Sequence, residues 1–290
     1  MEAFLHQVFA GLATGGIYAS LALALVMIYQ STHHINFAQG EMAMFSTYLA
    51  WSLLSAGMPY WWAFFLTLAV SFVAGVALER VVIRPVEHAP VLSIIAVFIA
   101  LVLIFNGLAG WIYTYTIKTF PSPFPEQPLF GNKYVSSHEL GVMGITLALL
   151  VVLYVFFRFT PLGLAMRAAA QNPVSSRLAG IRVGWMLALG WGLAAAIGAV
   201  AGTLIAPVVY LEPNMMSGVL LYAFSAALLG GIDNPFGAVV GGFVVGVVEN
   251  IVGAYLIGTE LKLTVALVLI VGVLLFKPSG LFGKVFVTRV

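Results

Sequence analysis

Nine apolar runs separated by short polar breaks account for most of this chain. They fall at 8–29, 35–55, 60–83, 91–112, 140–157, 185–210, 219–231, 237–257 and 262–276. Within each run the apolar residues are continuous rather than alternating, which predicts helices and disfavours a transmembrane β-barrel. Most approach the about 20 residues that a helix needs to cross ~30 Å of hydrocarbon. The run at 219–231 is too short to cross unless its flanks join it. With its successor it can form a broken or re-entrant pair around Gly230-Gly231-Ile232-Asp233-Asn234-Pro235. The expected fold is all-α: a polytopic transmembrane helix bundle of eight or nine segments, broken or re-entrant near 219–236. No long hydrophilic stretch interrupts it, so residues 1–290 read as a single membrane domain. The first run has no Lys or Arg before it and exceeds the apolar core of a signal peptide, so it is expected to remain as a membrane helix.

Composition agrees with the pattern. The chain is 62% hydrophobic and 8% charged, and its mean hydropathy of +1.09 exceeds what a soluble core needs. It has no cysteine, which excludes disulfides, thiol catalysis and thiolate metal sites.

The basic residues orient the chain. Arg80 and Arg84 flank 84–90; Arg158, Arg167, Arg177 and Arg182 occupy 158–184 without one acidic residue; Lys277, Lys284 and Arg289 follow the last run. By the positive-inside rule all three regions face the cytoplasm, including the C-terminus. Segment 113–139 is rich in Pro, Tyr and Phe, balances Lys118 and Lys133 against Glu126 and Glu139, and reads as the large external loop. Counting back puts the N-terminus outside, and counting forward favours nine segments over eight. Tyr60, Trp61 and Trp62, with Trp111, Tyr113 and Tyr115, suit the outer headgroup belt.

Glycines recur four residues apart at Gly11/Gly15, Gly198/Gly202, Gly237/Gly241 and Gly242/Gly246. Such spacing lines a helix face with backbone and lets another helix approach closely. Polar residues inside the runs carry more chemistry. A carboxylate at membrane depth costs ~2.5–3.5 kcal/mol on insertion scales, so Glu41 and Glu249 must face protein or water. With Asn36 and Gln39 they are the candidates for a translocation path, weighed equally against helix-to-helix hydrogen bonding. His33 and His34 lack a third ligand at metal spacing and read as interfacial. Neither HExxH nor a Gly-x-Ser-x-Gly elbow occurs, leaving an intramembrane hydrolase without motif support. A channel of the paired Asn-Pro type is disfavoured, because Asn172-Pro173 lies among the arginines and only Asn234-Pro235 can sit in a re-entrant break.

The arginine loop has structure of its own. Thr160-Pro161 and Asn172-Pro173 each pair a capping residue with proline at the first helical position. They predict short helices over about 161–171 and 173–179, with Gly180 as the left-handed terminator of the second. The first carries Leu164, Ala165, Ala168 and Ala169 with a single charge, Arg167, and a short, mostly small-residue helix leaving the membrane can insert into a groove on a soluble partner. The alternative is a basic loop that sets topology and meets anionic headgroups. No Gly-x-x-x-x-Gly-Lys-Ser/Thr occurs, so ATP-driven transport requires an ATPase on another polypeptide.

The motifs INFAQGE (35–41), ERVVIRP (79–85), LGLAMRAAAQNPVSSRLAGI (162–181), AALLGGIDNPFGAVVGGFVVGVVEN (226–250) and KPSGLFG (277–283) follow one another in an order that is specific together. On them, and over nearly its whole length, the chain resembles the membrane permeases of branched-chain amino acid ABC importers. The resemblance implies a permease subunit in the inner membrane of a bacterium or archaeon, binding no cofactor itself. It implies two cytoplasmic ABC ATPases carrying ATP and magnesium, a second related permease in a heterodimer, and a periplasmic or lipid-anchored binding protein, with no nucleic acid. Loop 158–184 then matches the coupling position, through Leu164, Arg167, Asn172, Pro173, Arg177 and Gly180. Relatives that carry urea, short amides or other amino acids leave the solute open, and a passive channel for a small polar solute is the alternative of a different class.

Overall fold

The computed structural model describes residues 2–32, 34–87, 89–125 and 136–283. His33, Glu126, Lys133, Lys284 and Arg289, invoked above, lie outside the described residues. The chain forms eleven α-helices among the described residues: α1 (Glu2–Thr32), α2 (Gln39–Ser55), α3 (Tyr60–Leu78), α4 (Val91–Tyr113), α5 (Ser137–Phe159), α6 (Pro161–Gln171), α7 (Pro173–Leu178), α8 (Val183–Val209), α9 (Met215–Gly230), α10 (Pro235–Val252) and α11 (Lys262–Phe276). α3 continues through a π-helical turn, Glu79–Ile83, and a 3-10 turn, Arg84–Val86; a second π-helical turn, Gly253–Ile257, follows α10. Among the described residues six helices are long and apolar enough to cross a membrane, and α9 and α11 are shorter apolar helices. The expected all-α polytopic bundle is what forms.

The helices gather into two compact units. One comprises Met1–Val26, Phe124–Leu147 and Gly218–Val290; the other comprises Met27–Pro123 and Ala148–Ser217.

In the first unit the glycine pairs find each other. A Cβ built at Gly11 would lie 2.7 Å from Val247 Cα, and one at Gly246 would lie 2.5 Å from Gly11 O. Gly15 faces Phe243 and Gly242 faces Ala19 just as closely, so α1 and α10 cross with backbones in contact. α9 and α10 form a tight hairpin. Gly231 turns the chain at φ +108°, a left-handed value that only glycine takes without strain, and Asn234 Oδ1 caps α10 by accepting from Gly237 N–H at 3.2 Å. α9 is 16 residues, about 24 Å at 1.5 Å per residue, so the expected break near 219–236 is this turn. The chain after α11 returns to the same turn. Leu281 N–H donates to Leu229 O at 2.7 Å, Phe282 N–H to Gly230 O at 3.0 Å, and Asn234 Nδ2 to Phe282 O at 3.0 Å. Segment 277–283 thus satisfies carbonyls that the end of α9 leaves open.

In the second unit α8 is the central helix, with α2 and α3 against it. Gly198 and Gly202 admit Ala43 and Thr47 of α2; Gly75 of α3 meets Trp191 and Ala195. Trp191 is fully buried and stacks on Phe98 of α4, centroids 6.1 Å apart. The apolar run at 35–55 is not helical throughout: residues 34–38 are a break, and α2 begins only at Gln39. Asn36 explains the difference, because its Oδ1 accepts from Ala38 N–H at 3.0 Å, a local turn that competes with helix. Gln39 Nε2 donates to Ala194 O at 2.8 Å, and Ala194 lies about 17 Å along α8. α2 therefore starts near the middle of its neighbour rather than level with its end.

The two ends of this unit differ in chemistry. At one, Thr114 (φ 67°) and Tyr210 (φ 63°) terminate α4 and α8, and Lys118 and Leu211 exchange backbone hydrogen bonds at 2.9 and 3.0 Å just beyond. Trp62 and Trp111 are exposed on helices that begin or finish here. At the other, where α3 stops and α8 starts, the Arg80 guanidinium lies 3.9 Å over the Trp185 ring, and Arg80 Nε is 3.6 Å from Glu79.

Candidate functional site

The arginine loop folds as its caps dictate. Thr160 Oγ1 accepts from Gly163 N–H at 3.0 Å and donates to Phe156 O at 2.6 Å, so one hydroxyl joins the end of α5 to the start of α6. Gly163 is required by that junction: a Cβ there would fall on the Phe156 carbonyl and 2.7 Å from Phe157 Cα. Asn172 Oδ1 accepts from Ser175 N–H at 3.0 Å to open α7, and Gly180 closes it at φ +82°. α6 buries Gly163, Met166 and Ala169, with Met166 reaching Gly190 of α8, and turns Leu164 outward at 59% exposure.

The candidate coupling residues thereby separate by role. Asn172, Pro173 and Gly180 build the two helices; Leu164 and Arg177 are exposed; Arg167 is half-buried, its Nε without a hydrogen bond. Two exposed apolar side chains on α7 were not singled out from sequence, Val174 at 68% and Leu178 at 87%. Their signal was the apolar i, i+4 pair in PVSSRL, which is weak in so short a segment.

The candidate path residues fall in both units. In the second, Asn36 and Gln39 are fully buried and committed: Asn36 Nδ2 reaches Gln39 Oε1 at 3.5 Å, and both make the cap and helix contacts described above. Glu41 is also buried, one Oε has no hydrogen bond, and Asn106 of α4 lies beside it. Asn106 in turn donates to Pro213 O at 3.1 Å and Asn214 Oδ1 at 3.0 Å, and accepts from Tyr115 at 3.3 Å. Sequence reading missed Asn106, although a lone asparagine in an otherwise apolar run was its signal.

Glu249 belongs to the first unit. Tyr18 and Tyr222 stack with centroids 4.9 Å apart and turn their hydroxyls to its carboxylate. Its neighbour Asn250 donates to Thr14 Oγ1 at 3.1 Å and accepts from Lys262 Nζ at 2.9 Å. One oxygen of the Glu249 carboxylate, Oε2, has no hydrogen-bond partner. No group of three or more potential metal ligands occurs among the described residues.

Polytopic apolar helices with buried carboxylates and a capped basic helix pair suit a membrane protein, and comparison with known proteins decides which kind. The family described as "Branched-chain amino acid transport system / permease component" matches residues 7–274. The chain belongs to this family. It is similar to the high-affinity branched-chain amino acid transport system permease protein LivH of Salmonella typhimurium, 32% identical over 99% of this chain and 98% of that protein. BraD of Pseudomonas aeruginosa, of the same description, is 31% identical over 99% and 98%. A probable branched-chain amino acid transport permease protein of Methanocaldococcus jannaschii is 28% identical over 91% and 87%. As a member of this permease family the chain is a multi-pass membrane protein.

Proposed function

We propose that this permease passes branched-chain amino acids inward through the cytoplasmic membrane of its cell as part of an ATP-driven importer. ATP and magnesium are bound and turned over by two separate cytoplasmic ATPase subunits. A second, related permease completes the path, and a binding protein outside the membrane delivers the solute. The observation that carries this reading is the end-to-end similarity to LivH, 32% identical over 99% of the chain.

The coupling element in this reading is α6–α7. Its arginines keep it cytoplasmic, and nine apolar helices then alternate so that the N-terminus is outside and the C-terminus inside. Leu164, Val174 and Leu178 offer apolar surface to an ATPase groove, while Arg167 and Arg177 flank it. Movement of the ATPases reaches the membrane through Gly163, where α6 is seated against α5. Within the second unit Glu41 is the polar point of the path, and Asn36 and Gln39 hold the backbone that carries it.

Co-purification tests the coupling. Arg167→Glu lowers recovery of the ATPases with the permease while leaving its membrane insertion intact; undiminished recovery rejects the α6 assignment. Reconstitution tests the class of protein. The purified chain alone in liposomes conducts no leucine, and downhill leucine flux without partners overturns the importer reading in favour of a passive channel.

A further inference from the structure

The motif ERVVIRP follows α3, and its two arginines lie against the first turn of α8. The Arg80 guanidinium is 3.9 Å from the centre of the Trp185 ring. Arg84 covers Gly184: a Cβ built there would fall on Arg84 Nη2 and lie 2.6 Å from its Cζ. Arg182, which is exposed, precedes both contacts as the N-cap of α8 and makes no capping hydrogen bond with its side chain. Positive charges therefore gather where the helix dipole of α8 is itself positive, and such an arrangement is unfavourable until an anion joins it.

The protein's own anions do not balance these arginines. Glu79 is 3% exposed, lies 3.6 Å from Arg80 Nε and feels the charge of Arg84 as well, so one buried acid serves both. With the exposed Glu87 counted too, Glu79 and Glu87 stand against Arg80, Arg84 and Arg182. Among the described residues neither Arg84 nor Arg182 makes a side-chain hydrogen bond or an ion pair, and both are exposed. Arg80 differs. Its Nε and Nη2 are buried, so it adds charge and steadies the Trp185 ring rather than offering those atoms to a ligand. The neighbouring surface is apolar: Trp185 is 47% exposed and Val81, next to Arg80, is 73% exposed. Indole rings favour headgroup depth, and the positive-inside rule puts this end of α3 and α8 at the cytoplasmic face.

We infer that Arg84, Arg182 and Trp185 form a binding surface for an anionic phospholipid of the cytoplasmic leaflet. The exposed guanidiniums hold its phosphate, whose oxygens suit their planar donor sets. The indole lies at the glycerol level, and the acyl chains start beside it. The bound headgroup supplies the missing negative charge and so holds the end of α3 against the start of α8. Whatever the solute, the site requires only that this end of the helices face the cytoplasm.

The test uses the full-length permease in nanodiscs of phosphatidylcholine. A small fraction of dibrominated phosphatidylglycerol, or of dibrominated phosphatidylcholine, is titrated in. Bromine on the acyl chains quenches nearby indoles, and the share of Trp185 is the difference between the parent and Trp185→Phe. Half-quenching should need about fivefold less brominated phosphatidylglycerol than brominated phosphatidylcholine, the weight of one arginine at an anionic surface. Arg84→Gln and Arg182→Gln should each reduce that preference, and the double variant should abolish it. Equal quenching by the two lipids in the parent, or a preference that survives in the double variant, overturns the site. So does relief of the quenching by excess inorganic phosphate, which would make this a surface for soluble phosphate rather than for lipid. Should the variants fail to reconstitute, high salt on the parent takes their place, because it screens exposed charges, and a preference that salt leaves unchanged also rejects the proposal.

Discussion

Adding one methyl group at Gly163 should uncouple the transporter without unfolding it. A Cβ at this position lies 2.7 Å from Phe157 Cα and falls on the Phe156 carbonyl. Carbon atoms settle at ~3.5–4.0 Å, so α6 must withdraw from α5 by roughly 1 Å. Overpacking of that order costs about 1–3 kcal/mol, and the gain in helix propensity from Gly to Ala, ~1 kcal/mol, does not cancel it. The strain has an outlet, because α6 is a short surface helix held to α8 mainly through Met166 and Ala169. It tilts, and the Thr160 cap that joins it to α5 loosens. In proteoliposomes containing the whole transporter and its binding protein, Gly163→Ala should reduce leucine import about tenfold, the equivalent of about 1.4 kcal/mol. Thermal stability followed by size-exclusion chromatography should fall only slightly. The control is Gly144→Ala on α5, where a Cβ meets nothing within 4 Å. It should import like the parent. Import by Gly163→Ala within twofold of that control would refute the idea that α6 transmits force through this junction.

Other substitutions probe separate parts of the argument. Gly246→Ala, whose Cβ would lie 2.5 Å from Gly11 O, should separate α1 from α10 and cost about 1–3 kcal/mol, read as a lower thermal midpoint. Tyr210→Gly should raise that midpoint, since φ 63° with ψ 156° is a region that strains any side-chain-bearing residue by ~1–3 kcal/mol and the Lys118–Leu211 pairing already holds the turn. Asn172→Ala should cost about 1 kcal/mol of α7 stability and increase proteolysis within 172–180, whereas Asn172→Asp retains the cap. Leu178→Asp on the exposed face of α7 should leave the midpoint unchanged while lowering ATPase recovery, and full recovery would exclude α7 from the contact surface.

The elements that sequence located best were those with local causes. Pro161–Gln171 and Pro173–Leu178 begin where Thr160 and Asn172 cap them, because an N-cap and a following proline act within a few residues. The glycine pairs were legible as packing faces, but not as partners. Gly11/Gly15 meets Gly242/Gly246 only because α1 and α10 cross, a fact that no periodicity contains. Hydropathy also hid the start of α2. Residues 34–38 are apolar enough to extend the run, yet the Asn36 side chain breaks the helix there.

The break before α2 also says what a polar motif inside a membrane protein must do first. Backbone that leaves the helical path at membrane depth survives only where protein or trapped water meets its hydrogen bonds. Here the protein supplies them: Asn36 accepts from Ala38 N–H, and Gln39 reaches the Ala194 carbonyl halfway along α8. Two of the four polar path candidates are therefore occupied in holding the break. They have little left to offer a passing solute. Glu41 differs, because it sits two residues into α2, buried, with one oxygen unmatched and Asn106 adjacent. If the break exists to bring Glu41 to that depth, Asn36→Ala should impair import as severely as Glu41→Gln, and combining the two should add little. Additive losses would instead mean that Asn36 and Glu41 act independently, the first in packing and the second in transport.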